Sequence, residues 1–111
     1  MINLEEYVRD NHCNPFERWF ASLDVQAAAK VSTALLRLEM GNTSNSKWLD
    51  GLGEYRIDWG PGYRIYLIRE GTRLIILFGG GNKSTQKRDI QQARQLVAEY
   101  KRRKRTESQT R

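Results

Sequence analysis

Cysteine, histidine and proline are scarce in this sequence, whose 111 residues contain one, one and two of them. One cysteine excludes a disulfide bond within the chain, and His12 beside Cys13 provides too few ligands for the usual zinc sites. Long apolar runs are missing, and the N-terminus lacks a basic stretch followed by an apolar one. We therefore expect a cytoplasmic protein that carries neither metal nor cofactor.

What the sequence does contain is an uneven distribution of charge. The formal net charge is +6, but residues 1–53 hold five Lys/Arg against seven Asp/Glu, whereas residues 54–111 hold fourteen against six. A basic half favours a polyanionic partner, most simply nucleic acid, or an acidic protein that covers the same patch. A basic face that is merely solvated is the alternative.

Chain length and the hydrophobic content of 39% suffice for one compact domain. We predict a single domain over residues 1–105 and a disordered polar tail over residues 106–111. A short strand is expected over Leu4 to Arg9. Residues 41–53 are rich in Gly, Asn and Ser and predict a loop that carries Lys47 toward the sheet.

Signals for two helices lie in the N-terminal half. Asn14-Pro15-Phe16-Glu17 combines a capping residue with a proline suited to the first helical position. Asp24 caps a second segment with apolar residues at helical spacing, which ends at Gly41-Asn42. We expect the two helices to form a hairpin that covers a sheet.

Residues 54–69 alternate between two kinds of side chain with a period of two, which is typical of paired strands. With Gly60-Pro61-Gly62 as the loop, the predicted partners are Ile57 and Ile65, Arg56 and Tyr66, and Asp58 and Arg64. A two-residue turn at Glu70-Gly71 leads to a third strand, in which Leu74 faces Leu67. That strand is apolar on both faces, as expected of a central strand that is covered twice. Its Ile75 and Leu77, with Ile68, predict an apolar end of the sheet that something else must cover.

A last helix is expected after Gly79-Gly80-Gly81-Asn82, where the glycines allow the backbone to turn sharply. Ser84 or Thr85 is the predicted cap of this helix. The helix ends in the basic run Lys101 to Arg105, which exceeds what capping of a helix C-terminus requires.

A basic patch is predicted where the first hairpin meets the glycine loop and the last helix. Arg56 and Arg64 can donate paired hydrogen bonds to phosphate oxygens, and Lys83 adds a point charge. Asp89 is our candidate general base, with Asp58 as the alternative. In a simpler interpretation the carboxylates only neutralise the arginines, Asp58 pairing with Arg64 and Asp89 with Arg56. We assign catalytic roles to Arg56, Arg64, Lys83 and Asp89.

Other residues around the patch and along the last helix are candidates for contacts with RNA. They are Lys47, Tyr66, Gln86, Lys87, Arg88, Lys101, Arg102 and Arg103. Tyr66 has two interpretations, because its ring can stack on a base or lie buried under the last helix.

The expected chemistry is cleavage of RNA by its own 2′-OH. The spacing from Gly79 to Ser84 does not match a nucleotide-binding phosphate loop, and the nearby carboxylates have arginine partners, which argues against a metal-dependent reaction. The protein would align the 2′-OH and stabilise the charge on phosphorus with its cationic side chains.

Several of these segments, in this order, resemble the addiction-module killer proteins of the RelE/ParE (HigB-like) superfamily of type II toxins. They are Asn14-Pro15-Phe16, Glu54 to Asp58, Gly60 to Tyr66, Gly79 to Lys83 and Gln86 to Ala93. The resemblance spans residues 4–101. It implies an α+β fold, with an N-terminal helical hairpin on a small, mainly antiparallel twisted sheet of three to four strands and a C-terminal helix.

The same resemblance implies a growth-inhibiting toxin that is silenced by a small helix-turn-helix antitoxin. RelE-like relatives cleave mRNA in the ribosomal A site, and Arg64 matches the position of their arginine on the scissile phosphate. Lys83 falls near a second basic position of those enzymes. The sequence departs from them at the start of the last helix, where Gln86 and Asp89 stand instead of a catalytic tyrosine or histidine.

Three functions are therefore open. The first is a metal-independent, ribosome-dependent endoribonuclease whose basic C-terminal run grips ribosomal RNA. The second is a non-catalytic, ParE-like inhibitor of DNA gyrase or of another replication protein. The third is a basic nucleic-acid-binding module without toxicity. In the first two cases the antitoxin is expected to cover the basic cleft or the apolar end of the sheet.

Overall fold

The computed structural model of the protein describes residues 1–109, with side chains for residues 1–107. These residues form five strands and three helices, and a 3₁₀ turn at Lys83–Thr85 leads into the last helix. In chain order the elements are β1 (Asn3–Glu6), α1 (Pro15–Ala21), α2 (Val25–Glu39), β2 (Ser46–Leu49), β3 (Leu52–Ile57), β4 (Tyr63–Glu70), β5 (Leu74–Gly81) and α3 (Gln86–Gln109).

The strands form one mixed sheet in the order β1-β5-β4-β3-β2. β1 runs parallel to β5, and every other pair is antiparallel. Our expected fold class, an N-terminal helical hairpin on a sheet of three to four strands, is therefore wrong, because the sheet has five strands. The strand that we missed is β2, which we assigned to a loop. Asp50-Gly51, both with positive φ, close a two-residue turn between β2 and β3, and this dipeptide is a recognised hairpin signal.

The two N-terminal helices begin where the capping residues predict. Asn14 accepts a hydrogen bond from the Glu17 N–H at 3.0 Å, and Asp24 accepts one from the Ala27 N–H at 2.8 Å. The helices then contact the sheet at different strands, α1 against β5 and α2 against β1 and β3. The sheet, rather than a packed helical hairpin, therefore organises this half of the chain.

Both faces of the sheet are covered by apolar cores. One core joins Tyr55, Ile65, Leu67, Ile75 and Leu77 to α1 and α2, and the other joins Leu52, Tyr66, Ile68, Ile76 and Phe78 to α3. β5 contributes to both cores, as we expected of a central strand. The apolar end that we predicted does not exist, because Ile68 lies in one core while Ile75 and Leu77 lie in the other, all of them buried.

The register of the first hairpin differs from the prediction by two residues. Arg56 lies opposite Arg64, and Ile57 lies opposite Tyr63, so residues 58–62 form a longer turn. Gly60 and Gly62 both adopt positive φ in this turn. Because the shift is even, each side chain stays on its predicted face, but its partner changes. Asp58 moves off the strand pair and into the turn.

The second hairpin departs further from the prediction. Leu67 lies opposite Leu77 instead of Leu74, and a β-bulge follows between Tyr66 and Leu67. β5 also continues through its glycines to Gly81, where we expected a turn. The odd shift of three residues moves the side chains of β5 to the opposite faces from those predicted.

α3 is preceded by a cap that we misassigned. The cap is Asn82, whose side chain accepts hydrogen bonds from the Ser84 and Thr85 N–H groups, and Thr85 completes a capping box with it. The helix then continues to Gln109, through much of the segment 106–111 that we predicted to be disordered. Residues 110 and 111 lie outside the described residues. Lys, Arg, Glu and Gln are good helix formers, so the helix can continue beyond the sheet.

The far end of α3 is tied to the N-terminal segment by ionic hydrogen bonds. Glu99 accepts two from the Arg9 guanidinium, at 3.0 and 3.1 Å, and one from the Tyr7 hydroxyl at 2.6 Å. Arg103 donates to Tyr7 and to the Val8 carbonyl. No helix within residues 1–109 combines the length and the apolar character needed to span a membrane.

Glu99 makes the stability of this fold depend on pH. Hydrogen bonds from Arg9 and then Tyr7 lower the pKa of its carboxyl, so its contribution is complete above the ordinary glutamate pKa, about 4.3. That contribution is lost as the pH falls through the lowered pKa. We expect Glu99→Gln to unfold more easily than wild type at neutral pH, with a difference that shrinks below about pH 4. Denaturant unfolding across pH measures this, and exposed Glu5→Gln is the control. A difference in the free energy of unfolding that stays constant across pH would contradict this prediction.

A close contact between Gly80 and Trp19 generates a second prediction. A Cβ on Gly80 would overlap ring carbons of Trp19, so Gly80→Ala should lower the free energy of unfolding by about 1–3 kcal/mol. In a Trp19→Leu background the same change should cost less than half as much. A double-mutant cycle measured by chemical denaturation tests this, and equal costs in both backgrounds would rule out the packing explanation.

Candidate functional site

A cavity of about 460 Å³ opens where the β3–β4 hairpin meets the segment that follows β5. It brings together three of the predicted catalytic side chains, Arg56, Arg64 and Lys83, with Asp58 beside them. The Lys83 N–H donates to the Pro61 carbonyl, which ties the start of the 3₁₀ turn to the hairpin loop. The cationic patch expected from the sequence is therefore present as one concave surface.

The strand register places two arginines directly opposite each other. Arg56 and Arg64 are partners across β3 and β4, and like charges in that position repel. Arg56 is half-exposed, whereas 11% of the Arg64 side chain is exposed. A nearby anion is therefore needed to hold both guanidinium groups in place.

Glu54 supplies that anion, and we missed it in the sequence. Its side chain is fully buried, and its carboxylate accepts hydrogen bonds from Arg56 Nε at 3.2 Å, from the Tyr66 hydroxyl at 3.1 Å and from Gln86 Nε2 at 2.9 Å. Arg64 Nε lies 3.7 Å from the same carboxylate. A signal was available, because Glu54 precedes Arg56 by two residues and so shares its face of the strand.

Arg64 is held with donors to spare. Its Nη1 donates to the Gly62 carbonyl at 2.8 Å, and its Nε has an ion-pair contact but no hydrogen-bond acceptor. Buried donors of this kind are normally satisfied, and the Arg64 Nε is compensated by the charge of Glu54 rather than by a hydrogen bond. The predicted pairs of Asp58 with Arg64 and of Asp89 with Arg56 are replaced by contacts to Glu54.

Tyr66 takes the second of its two predicted roles. Its ring is 1% exposed, within the core under α3, so it has no free face on which a base could stack. Burial and the neighbouring Glu54 carboxylate raise the pKa of its hydroxyl. Our assignment of Tyr66 to RNA binding is corrected accordingly, since the residue orients Glu54 instead.

The first turn of α3 faces the protein rather than the cavity. Gln86 is bound to Glu54, and Asp89 is buried, with a hydrogen bond from Thr85 and a 3.8 Å ion pair to Arg88. The Asp89 carboxylate also occupies the space that a Cβ on Gly81 would need. Of the two candidate bases, Asp58 lines the cavity and Asp89 does not.

The remaining predicted RNA contacts fall into two groups. Lys47 lies on β2 opposite Glu54, and Lys87 and Arg88 lie in the first turn of α3; all three are exposed, and none of them lines the cavity. The other group, Lys101 to Arg103, begins 14 residues after Lys87 on the same helix, about 21 Å away at 1.5 Å per residue. It therefore lies outside the site. No three His, Cys, Asp or Glu side chains converge as a metal site within residues 1–109.

Comparison with known proteins identifies one informative relative. No family model matches the chain. An uncharacterized protein of Haemophilus influenzae (strain ATCC 51907 / DSM 11121 / KW20 / Rd) is 44% identical over 86 residues, which cover 76% of this chain and 87% of that protein. The similarity therefore extends over most of both chains.

Replacement of Glu54 should weaken the fold and loosen the arginines together. In Glu54→Gln the amide N–H₂ would replace one carboxylate oxygen and oppose the donor bound there, either Arg56 at Oε1 or Gln86 at Oε2, so we expect the free energy of unfolding to fall by about 1–3 kcal/mol. Tyr66→Phe removes one donor and should cost less. Urea denaturation measures both variants against exposed Glu5→Gln, whose effect should stay within about 0.5 kcal/mol. A Glu54→Gln protein as stable as the Glu5→Gln control would contradict the role assigned to Glu54.

Proposed function

We propose that this chain, which belongs to the same family as the Haemophilus influenzae protein, is the toxin of a type II toxin–antitoxin module. Its activity is ribosome-dependent cleavage of mRNA in the cytoplasm. The observation that carries this proposal is the convergence of Arg56, Arg64 and Lys83 on one cavity. The residues that carry the resemblance to the RelE/ParE killer proteins include this same hairpin.

The cavity suits an RNA phosphate better than a neutral ligand. Arg64 offers a guanidinium that is largely shielded from water, where hydrogen bonds to an anion are stronger than at the surface. Arg56 and Lys83 remain accessible from solvent and can approach the other phosphate oxygens. Glu54 keeps the guanidinium groups oriented before the substrate arrives, which lowers the cost of organising them on binding.

In the proposed reaction the substrate supplies the nucleophile. The 2′-oxygen attacks the adjacent phosphorus, the bond to the 5′-oxygen breaks, and the departing 5′-oxygen takes a proton from water. The products carry a 2′,3′-cyclic phosphate and a 5′-hydroxyl. Asp58 is the carboxylate that faces the cavity and can take the 2′-OH proton. Arg64 and Lys83 stabilise the additional negative charge on the phosphoryl oxygens.

A second function deserves a test because of one observation at α3. The resemblance to RelE-like enzymes implies a catalytic tyrosine or histidine at the start of the last helix. Gln86 and Asp89 stand there instead, and both side chains face inward. This arrangement favours a non-catalytic toxin that inhibits DNA gyrase or another replication protein. The antitoxin in either case would cover the cationic cavity.

Addition of purified protein to a translation reaction tests the proposal. We expect mRNA cleavage, and we expect Lys83→Ala and Arg64→Lys to reduce its rate by about 10²–10³-fold, the loss typical of a removed transition-state donor. Lys83 is exposed, so its removal should leave the fold intact even if an Arg64 variant unfolds. Arg37→Ala, an exposed cation on α2, is the control.

The products separate the candidate functions. A 2′-deoxy substitution at the scissile nucleotide should abolish cleavage, and the reaction should continue in the presence of a chelator. Intact mRNA together with inhibited supercoiling by gyrase would replace the nuclease proposal with the gyrase alternative. No effect on either would leave a nucleic-acid-binding module.

A further inference from the structure

A row of cations follows the outer face of α3 from the first turn of the helix toward its C-terminal end. Lys87, Arg94 and Lys101 recur every seven residues, and Arg105 continues the row. Two turns of helix separate successive members of the triplet, about 10.5 Å, and the whole row extends about 27 Å. All four residues are exposed. We call these four residues the α3 row.

The charge of this row is not neutralised by the rest of the protein. In the part of the chain that the structure describes, Lys87, Lys101 and Arg105 have no carboxylate partner, and Arg94 donates only to the Leu49 carbonyl. Other cations of α3 behave differently, since Arg103 binds Tyr7 and Lys104 binds Glu70.

Carboxylates of α3 are turned away from the row. Asp89 is buried against Thr85, and Glu99 is bound to Arg9 and Tyr7. Glu107 lines a second cavity, on the β1 side of the helix, together with Tyr7 and Val8. Side chains that lie between the members of the row, Gln91 and Ala98, are uncharged. A straight and purely cationic surface of this length is complementary to a regular array of phosphates.

We propose that the α3 row binds the phosphate backbone of double-helical nucleic acid, as a surface separate from the Arg64 cavity. Single-stranded binding surfaces combine cations with aromatic platforms for unstacked bases, and the row contains no aromatic side chain. If the function is the one proposed above, the ligand is an RNA stem of the ribosome. Only this identification of the ligand rests on the proposed function.

Fluorescence anisotropy with a blunt RNA duplex tests the inference across a series of salt concentrations. Each cation that contacts a phosphate contributes about 0.9 to the slope of log K against log salt. Lys101→Gln/Arg105→Gln should therefore lower the slope by about 1.8 and weaken binding at low salt. Arg37→Gln/Arg73→Gln is the matched control, since it removes two exposed cations from other elements and changes the net charge equally.

Three outcomes would overturn the inference. The first is an equal loss of duplex affinity in the two double variants, and the second is unchanged duplex binding by the row variant. The third is a loss of affinity in the row variant that is larger for single-stranded RNA than for the duplex. A parallel DNA duplex identifies the source of the phosphates, because equal effects indicate backbone recognition and a larger effect on RNA indicates A-form geometry. The row variants retain the cavity, so loss of cleavage in Lys83→Ala with intact duplex binding separates the two proposals. An inert protein that still binds duplexes through the row would reject the nuclease but keep this inference.

Discussion

The site depends on the interaction of the buried Glu54 carboxylate with Arg56 and Arg64. Two arginines placed opposite each other on paired strands would repel, and both lie within reach of this one anion. Tyr66 and Gln86 donate to the same carboxylate from β4 and from the start of α3. One buried group therefore joins two strands and a helix, and it fixes the arginines at the mouth of the cavity. Such a network is stabilising only while each member keeps its partners.

The two-sided sheet explains why the cavity lies where it does. Apolar cores cover the middle of β4 and β5 on both faces, so charged side chains can reach solvent only toward the ends of the strands. Arg56 and Arg64 stand at that end of β3 and β4, next to the five-residue turn. The glycines of β5 let Trp19 approach from one face and Asp89 from the other. The ends of these strands therefore determine both the packing around the glycines and the position of the cavity.

Much of the local structure could be predicted from short signals. Asn14 and Asp24 start helices because their side chains satisfy N–H groups that the helix itself cannot. The three cations of the cavity were also identified from the sequence, because alternation put Arg56 and Arg64 on one face. Glu54 was missed although it obeys the same alternation, since its value as a partner depends on burial. The hairpin signal Asp50-Gly51 was present in the sequence and was not used.

The sequence by itself determined which residues of β3 and β4 share a face, where the first helices begin and that the second half of the chain is basic. Those properties follow from the period of two in strands, from local capping and from composition, which need no long-range contact. Tertiary structure alone decided the partners. A shift of two residues between β3 and β4 keeps every side chain on its face, so alternation cannot detect it. Turn length, the bulge between β4 and β5 and the packing of α3 chose the registers of the two hairpins, and the register of β3 and β4 made Glu54 the counter-ion of both arginines.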